Sequence, residues 1–107
     1  MTTERRARPR LRVARPYHLS VHAPDGKHLG IASLEEVSAG GARLLAGRPW
    51  PPGERLALEP GPPHPLAGRR LPFRVTRCEA VPGDGHRVAA SFPAALPDED
   101  VHALAGG

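Results

Sequence analysis

The sequence predicts an all-β fold, a six-stranded antiparallel barrel of the split, Greek-key type, with a short C-terminal helix and a flexible basic N-terminal arm. Two observations support this prediction. Fourteen prolines and twelve glycines in 107 residues disfavour a helix bundle, because proline breaks helix interiors and is excluded from central strands. Between them lie short runs in which apolar and polar side chains alternate, which is the pattern of half-buried strands. The length suits one domain.

Three segments divide the chain. Residues 1–16 form the predicted arm, residues 17–93 the barrel, and residues 97–105 the terminal helix. The first strand starts at Tyr17, from where every second side chain is apolar. The helix is predicted from the acidic side chains at positions 98–100, because carboxylates stabilise the first turn of a helix.

The next elements are separated by turns of recognisable chemistry. Residues 24–27 (Pro-Asp-Gly-Lys) predict a hairpin into a second strand, which ends near Glu35 or Glu36. Residues 37–41 form a tight turn with two glycines, after which a third strand begins at Ala42.

The remaining strands are separated by proline- and glycine-rich segments. Residues 54–59 alternate, with leucines facing inward, and form the fourth strand. Residues 60–68 are too rich in proline for regular structure, and we expect a mobile loop there. Two further strands, from Leu71 to Glu79 and over residues 86–92, are joined by a Pro-Gly-Asp-Gly turn.

The positive charge of the chain is concentrated in the arm. The formal net charge is +4, but residues 1–15 alone hold six arginines and one glutamate, a net charge of +5. The rest of the chain holds nine basic and ten acidic side chains, so that it is nearly neutral. This distribution indicates an anionic partner for the arm.

Several classes of protein are disfavoured. Cys78 is the only cysteine, so no internal disulfide and no cysteine-based metal cluster can form. No segment has the length of a membrane span or the pattern of a signal peptide, and we expect a soluble, cytoplasmic protein. His18 and His22 lack a converging third ligand, so the histidines are interpreted as solvated and not as metal ligands. Ser38 has no recognisable histidine partner, and we predict no enzyme and no cofactor.

Two groups of residues could bind a ligand. In the arm, the guanidinium groups of Arg6 and Arg10, four positions apart, can grip phosphate oxygens or the edge of a guanine. In the glycine turn, a carboxylate can accept hydrogen bonds from guanine, a hydroxyl can donate or accept them, and glycines allow close approach of the backbone. The residues concerned are Glu36, Ser38, Gly40 and Gly41. Taken separately, the arm could be a solvated tail and the turn an ordinary β-turn.

Taken together, these segments resemble the PilZ family. The sequence from Arg6 to Arg10 resembles the family's Arg-x-x-x-Arg motif, and the sequence from Glu36 through Ser38 to Gly41 resembles its [Asp/Asn]-x-Ser-x-x-Gly motif. The closing strands and the acidic helix start agree with the family as well. The resemblance covers roughly residues 4 to 105.

The resemblance implies a barrel whose arm folds over cyclic di-GMP, a bacterial second messenger. Arg6 and Arg10 would hold phosphates and guanine faces, and the residues of the turn would line a guanine pocket. Arg5 matches a position where the family often has an arginine when two stacked ligand molecules bind. The arm would become ordered on binding and would relay the signal to a downstream protein partner.

One residue departs from the family pattern. Glu36 stands where the family has Asp or Asn, and its carboxylate lies one methylene further out. An alternative is therefore a PilZ-fold adaptor that no longer binds the nucleotide and acts by protein–protein interaction. A third hypothesis is a basic-armed nucleic-acid binder, which the lack of aromatic side chains in the arm disfavours.

Overall fold

A computed structural model describes residues 10–106, which contain seven strands and one helix. In chain order these elements are β1 (Leu11–Arg12), β2 (His18–His22), β3 (His28–Val37), β4 (Gly41–Ala46), β5 (Arg55–Pro60), β6 (Leu71–Val81), β7 (Gly85–Ser91) and α1 (Asp98–Gly106). The predicted strands and the predicted helix are all present, and their ends differ from the prediction by one or two residues. No helix within residues 10–106 is long and apolar enough to cross a membrane.

The strands form a closed antiparallel barrel. Hydrogen-bonded neighbours follow the order β3-β2-β5-β6-β7-β4, and β4 pairs again with β3 to close the ring. This arrangement confirms the six-stranded barrel expected from the sequence. Closure leaves none of the six strands with an unpaired edge, and β1 adds to one end of β3.

The core fills the barrel with the inward side chains of each strand. In β6, Leu71, Phe73 and Val75 are buried while their neighbours are exposed, as the alternating pattern predicted. Val101 and Leu104 of α1 are buried, and the helix packs against β1 and β3. Trp50, from the loop between β4 and β5, is also buried, with 2% of its surface exposed.

Strand β1 is a short addition that the sequence pattern did not predict. Leu11 lies opposite Val37 of β3, and Arg12 lies opposite Glu36. Val13 follows with 5% of its surface exposed, and its N–H donates to the carbonyl of Glu35 at 3.0 Å. The last part of the predicted arm is therefore attached to the barrel beside the glycine turn. Residues 1–9 lie outside the described part of the chain.

The proline-rich segment between β5 and β6 packs against the barrel, which corrects the expectation of a mobile loop. His64 and Leu66 are buried in it, and successive backbone hydrogen bonds fold it into turns. The Leu66 N–H donates to His64 Nδ1 at 2.9 Å. This leaves the proton of the neutral ring on Nε2, which donates to the Ala103 carbonyl of α1 at 3.1 Å.

The interpretation of the histidines as solvated is also wrong for two of them. The His64 ring stacks on Tyr17, and the Tyr17 hydroxyl donates to the Leu104 carbonyl at 2.7 Å. His22 is buried because β2 is irregular between Val21 and His22, and its Nε2 lies 3.1 Å from a carboxylate oxygen of Glu59. Alternation along a strand could not predict either position, since one is in a loop and the other is at an irregularity.

Candidate functional site

The turn between β3 and β4 is held by the backbone and by one serine. The Ser38 N–H donates to the Gly41 carbonyl at 2.8 Å. The Ser38 hydroxyl accepts from the Gly40 N–H at 3.3 Å and donates to the Gly41 carbonyl at 3.4 Å. Serine side chains commonly close turns in this way. The hydroxyl is therefore partly occupied by the turn itself.

Gly41 is required by the neighbouring strand. It lies opposite Ser91 of β7, and a Cβ atom added to it would meet the Ala90 carbonyl oxygen far inside 3.0 Å. The obstacle is backbone, which cannot rotate away as a side chain can. The glycine that the sequence assigned to the ligand therefore has a packing function at this point of the barrel.

The same turn is connected to the segment that leads into α1. The Phe92 N–H donates to the Gly40 carbonyl at 2.9 Å, and the Leu96 N–H donates to the Ala39 carbonyl at 2.9 Å. These two hydrogen bonds attach residues 92–96 to the turn. The turn is therefore in main-chain contact with the segment that precedes α1.

Glu36 lies between two arginines on the flanking strands. Arg12 of β1 is opposite Glu36 on one side, and Arg43 of β4 is opposite it on the other. Glu36 Oε2 is 3.8 Å from Arg43 Nη1, which is an ion-pair distance and too long for a hydrogen bond. The carboxylate therefore has one guanidinium group at ion-pair distance, and within residues 10–106 it forms no side-chain hydrogen bond.

Glu35, beside it, is engaged elsewhere. The register of β3 against β4 shifts between Leu34 and Glu36, so that Glu35 is the extra residue of a bulge. Its carboxylate accepts from Arg87 Nε at 3.1 Å, and this hydrogen bond, together with the negative charge, raises the pKa of Arg87. Because of the bulge, the two adjacent glutamates contact different arginines: Glu35 contacts Arg87 and Glu36 contacts Arg43.

These elements surround a surface pocket of about 290 Å³. Five of the seven residues predicted from the sequence line it: Arg10, Glu36, Ser38, Gly40 and Gly41. Its other lining residues are Val37, Ala42, Arg43, Thr76, Ala89 and Ala90. The two remaining predicted residues, Arg5 and Arg6, lie outside the described part of the chain.

The sequence did not identify Arg43 and Thr76 as lining residues. Arg43 follows the glycine turn by two positions, so its place on the next strand was a signal that could have been used. Thr76 comes from β6 at an irregularity between Val75 and Arg77, and its hydroxyl donates to the Ala89 carbonyl at 3.2 Å. Only the folded sheet brings Thr76 to this pocket.

The pocket contains the carboxylate of Glu36, two guanidinium groups and two hydroxyl groups. At its two glycines the backbone is accessible to a ligand. This combination fits a ligand that carries both hydrogen-bond donors and negative charge. Within residues 10–106, no group of three or more His, Cys, Asp or Glu side chains is arranged to hold a metal ion.

Comparisons with known proteins agree with this architecture. The family model of the PilZ domain matches residues 4–106. The PilZ domain with c-di-GMP of YcgR from Escherichia coli is similar in fold, with a TM-score of 0.59 and 17% identity over 94% of this chain and 88% of that one. The K. pneumonia MrkH–c-di-GMP complex has a TM-score of 0.60 and 15% identity over 96% of this chain and 50% of that one. A comparison with curated proteins gives no match.

Proposed function

The chain belongs to the PilZ domain family, and on this basis we propose that it binds cyclic di-GMP in the pocket beside the β3–β4 turn and acts as a signalling module, not as an enzyme. The observation that best supports the proposal is the meeting of Arg10, Glu36, Ser38, Gly40 and Gly41 in one pocket. Two solved structures of similar fold are c-di-GMP complexes.

Glu36 is the proposed acceptor for guanine. The N1–H and exocyclic amine of guanine are two parallel donors, and a carboxylate can accept both at once. Glu36 suits this task because it lines the pocket and is flanked in the sheet by Arg12 and Arg43. The 3.8 Å contact with Arg43 leaves room for the ligand to provide the shorter bonds.

The arginines are the proposed partners of the phosphates. Arg10 lines the pocket at the start of the described chain, and guanidinium forms bidentate, charge-assisted bonds to phosphate oxygens. Arg6 is proposed to act with it, and Arg5 to support a second ligand molecule. The ligand would then join residues of the arm to residues of the barrel.

The proposed signal is a population shift. A ligand that contacts both arm and barrel binds only the state in which the two are together, and so it favours that state. The hydrogen bonds of Gly40 and Ala39 to Phe92 and Leu96 extend the change to the helix. The surface offered to a downstream protein partner would change accordingly.

A specific observation supports a second candidate. Glu36 already has an ion-pair partner in Arg43, so the pocket can balance its charge without a ligand. A PilZ domain in this state would act as an adaptor through protein–protein contacts alone. The two candidates differ in whether the nucleotide binds.

Calorimetric titration of cyclic di-GMP into the purified protein at moderate salt tests the proposal. GTP, which has the guanine base without the cyclic backbone, and cyclic di-AMP, which has the cyclic backbone with another base, are the controls. Selective binding of about −8 kcal/mol or better, equivalent to a micromolar Kd, is expected. The stoichiometry then tests the proposed function of Arg5. An absence of heat from a folded protein would contradict nucleotide binding and favour the adaptor.

Matched variants test the assigned residues. Glu36→Gln keeps the size of the side chain but replaces one acceptor oxygen by a donor, and Arg10→Ala removes one phosphate contact. Each is expected to weaken binding by about 1.5–3 kcal/mol, the usual contribution of a hydrogen bond to a charged group. Glu79→Gln is the control, since Glu79 is exposed and pairs with Arg77 outside this pocket. Equal affinity of Glu36→Gln and Glu79→Gln would refute the role of Glu36.

A further inference from the structure

A second charged surface lies on the outer face of β5, β6 and β7. Arg55 of β5 is directly opposite Arg74 of β6, and Arg74 is in turn opposite Ser91 of β7. Both arginines are exposed. Side chains directly opposite on antiparallel strands are close neighbours, and like charges in such a pair destabilise the sheet.

These two arginines differ from the others in the barrel strands. Arg43, Arg77 and Arg87 each have a glutamate within 4.0 Å, at 3.8, 3.5 and 3.1 Å respectively. Within the described residues, neither Arg55 nor Arg74 forms an ion pair or a side-chain hydrogen bond. Two neighbouring positions of the sheet thus carry guanidinium groups without an acidic partner among the described residues. An acidic side chain at either position would stabilise the sheet.

A surface pocket of about 410 Å³ contains both arginines. Its other lining residues are Leu56, Pro72, Phe73, Ser91 and Pro93. The two prolines are exposed and provide rigid apolar surface, and Ser91 adds a hydroxyl group. The pocket therefore combines two guanidinium groups and a hydroxyl group with apolar surface.

We propose that this surface, made of Arg55, Pro72, Arg74, Ser91 and Pro93, binds an acidic segment of a partner protein in which a carboxylate lies beside an apolar side chain. Charge complementarity is the main argument, because two adjacent guanidinium groups can hold one carboxylate with several charge-assisted hydrogen bonds. Arginine is also enriched at the energetic centres of protein interfaces.

The lining disfavours a nucleotide as the occupant. Guanidinium groups can bind the acceptor edge of a guanine, but the N1–H and exocyclic amine of guanine need acceptors, and stacking is strongest on an exposed aromatic ring. Phe73 is 2% exposed, and Ser91 is the one lining side chain that can accept a hydrogen bond. The first pocket, by contrast, contains a carboxylate.

The position of this surface fits an output function. Ser91 lies opposite both Arg74 and Gly41, so one residue of β7 separates the two pockets. Pro93 follows Phe92, whose N–H is bonded to the glycine turn. This surface for the partner rests on the proposed function of the chain. Peptide binding can nevertheless be measured without the nucleotide, so peptide binding and nucleotide binding can each fail independently of the other.

The test uses the full chain and a short fluorescent peptide of alternating glutamate and leucine, followed by fluorescence anisotropy at moderate salt. The control peptide has glutamine in place of glutamate. The glutamate peptide is expected to bind, and the double variant Arg55→Ala/Arg74→Ala to bind it at least roughly tenfold more weakly. Arg77→Ala is the matched control, because it removes the same charge from β6 outside the pocket and is expected to leave the affinity unchanged.

Other outcomes would overturn the proposal. Equal binding of both peptides would show that the carboxylates are not recognised. Equal loss in the double variant and in Arg77→Ala would indicate general charge attraction. Unchanged binding in the double variant would place the peptide on other basic residues. Displacement of the peptide by inorganic phosphate or by cyclic di-GMP, dependent on Arg55 and Arg74, would identify a small-anion or nucleotide site instead.

Discussion

Replacement of Gly41 by alanine tests a close approach of the β4 and β7 backbones. The added Cβ would meet the Ala90 carbonyl oxygen well inside 3.0 Å, and the Ala90 carbonyl carbon and Ser91 Cα lie within 4 Å as well. All three atoms belong to the backbone of β7, so no side chain can move aside. The β4–β7 pairing itself must shift.

The expected cost follows from two opposing effects. Overpacking of this kind costs typically about 1–3 kcal/mol. The lower chain entropy of alanine in the unfolded state returns about 0.4–1 kcal/mol where the native backbone accepts it without strain. Because Gly41→Ala meets rigid backbone, we expect a net loss of about 2 kcal/mol in the free energy of unfolding.

Gly47→Ala is the matched control. Gly47 lies just after the other end of β4, its φ is not in the left-handed region, and a Cβ there would meet no atom within 4 Å. This variant is expected to be neutral or more stable by up to about 1 kcal/mol. The two variants thus change the same kind of residue with opposite expected results.

Urea unfolding followed by tryptophan fluorescence measures both variants. Trp50 is the only tryptophan and is 2% exposed, so its emission reports the loss of the core. The midpoint of Gly41→Ala should fall with little change in slope. A stability for Gly41→Ala within about 0.5 kcal/mol of the original chain, the range of ordinary surface changes, would refute the packing argument.

Three further predictions concern other parts of the fold. Burial raises the pKa of Tyr17 from 10.0 to about 12, so this side chain contributes stability below pH 10 that is lost as the pH rises from 10 to 12. Because Tyr17 is the only tyrosine, phenolate absorbance should show a higher midpoint in the folded protein than in denaturant, and equal midpoints would contradict this. Arg74→Glu should raise the free energy of unfolding by about 0.2–1 kcal/mol, since it replaces the like-charge pair with Arg55 by an opposite-charge pair, and a loss of stability in urea would be the contrary result. His64→Ala should cost about 1–3 kcal/mol because the Leu66 N–H loses its acceptor, whereas an unchanged urea midpoint would show that this hydrogen bond contributes nothing to stability.

The barrel could be predicted because its strands follow one simple rule. A side chain that points into the barrel must be apolar, and the next one points out, so that β6 shows its period of two in the order Leu71, Phe73, Val75. The glycine turn was equally visible, because its residues are close in sequence.

Features that depend on contacts between distant segments could not be predicted. Strand β1 depends on the pairing of Leu11 with Val37, which is distant in sequence. Arginines flank Leu11, so the sequence shows no alternating apolar pattern there. The burial of His64 depends on Tyr17 and on the carbonyl of Ala103, which are far away in sequence. Thr76 enters the candidate site through a strand irregularity, which side-chain type alone does not indicate.

Under the proposed function, the two main-chain hydrogen bonds from the glycine turn to Phe92 and Leu96 connect the ligand site with the segment that contains Pro93, and such a connection acts in both directions. Any coupling free energy between two binding sites is reciprocal: if a ligand at the turn changes the affinity for a partner near Pro93, the partner changes the affinity for that ligand by the same factor. The messenger concentration at which the protein responds would then be set partly by the abundance of the partner. The same chain would respond at different thresholds in cells that contain different amounts of that partner.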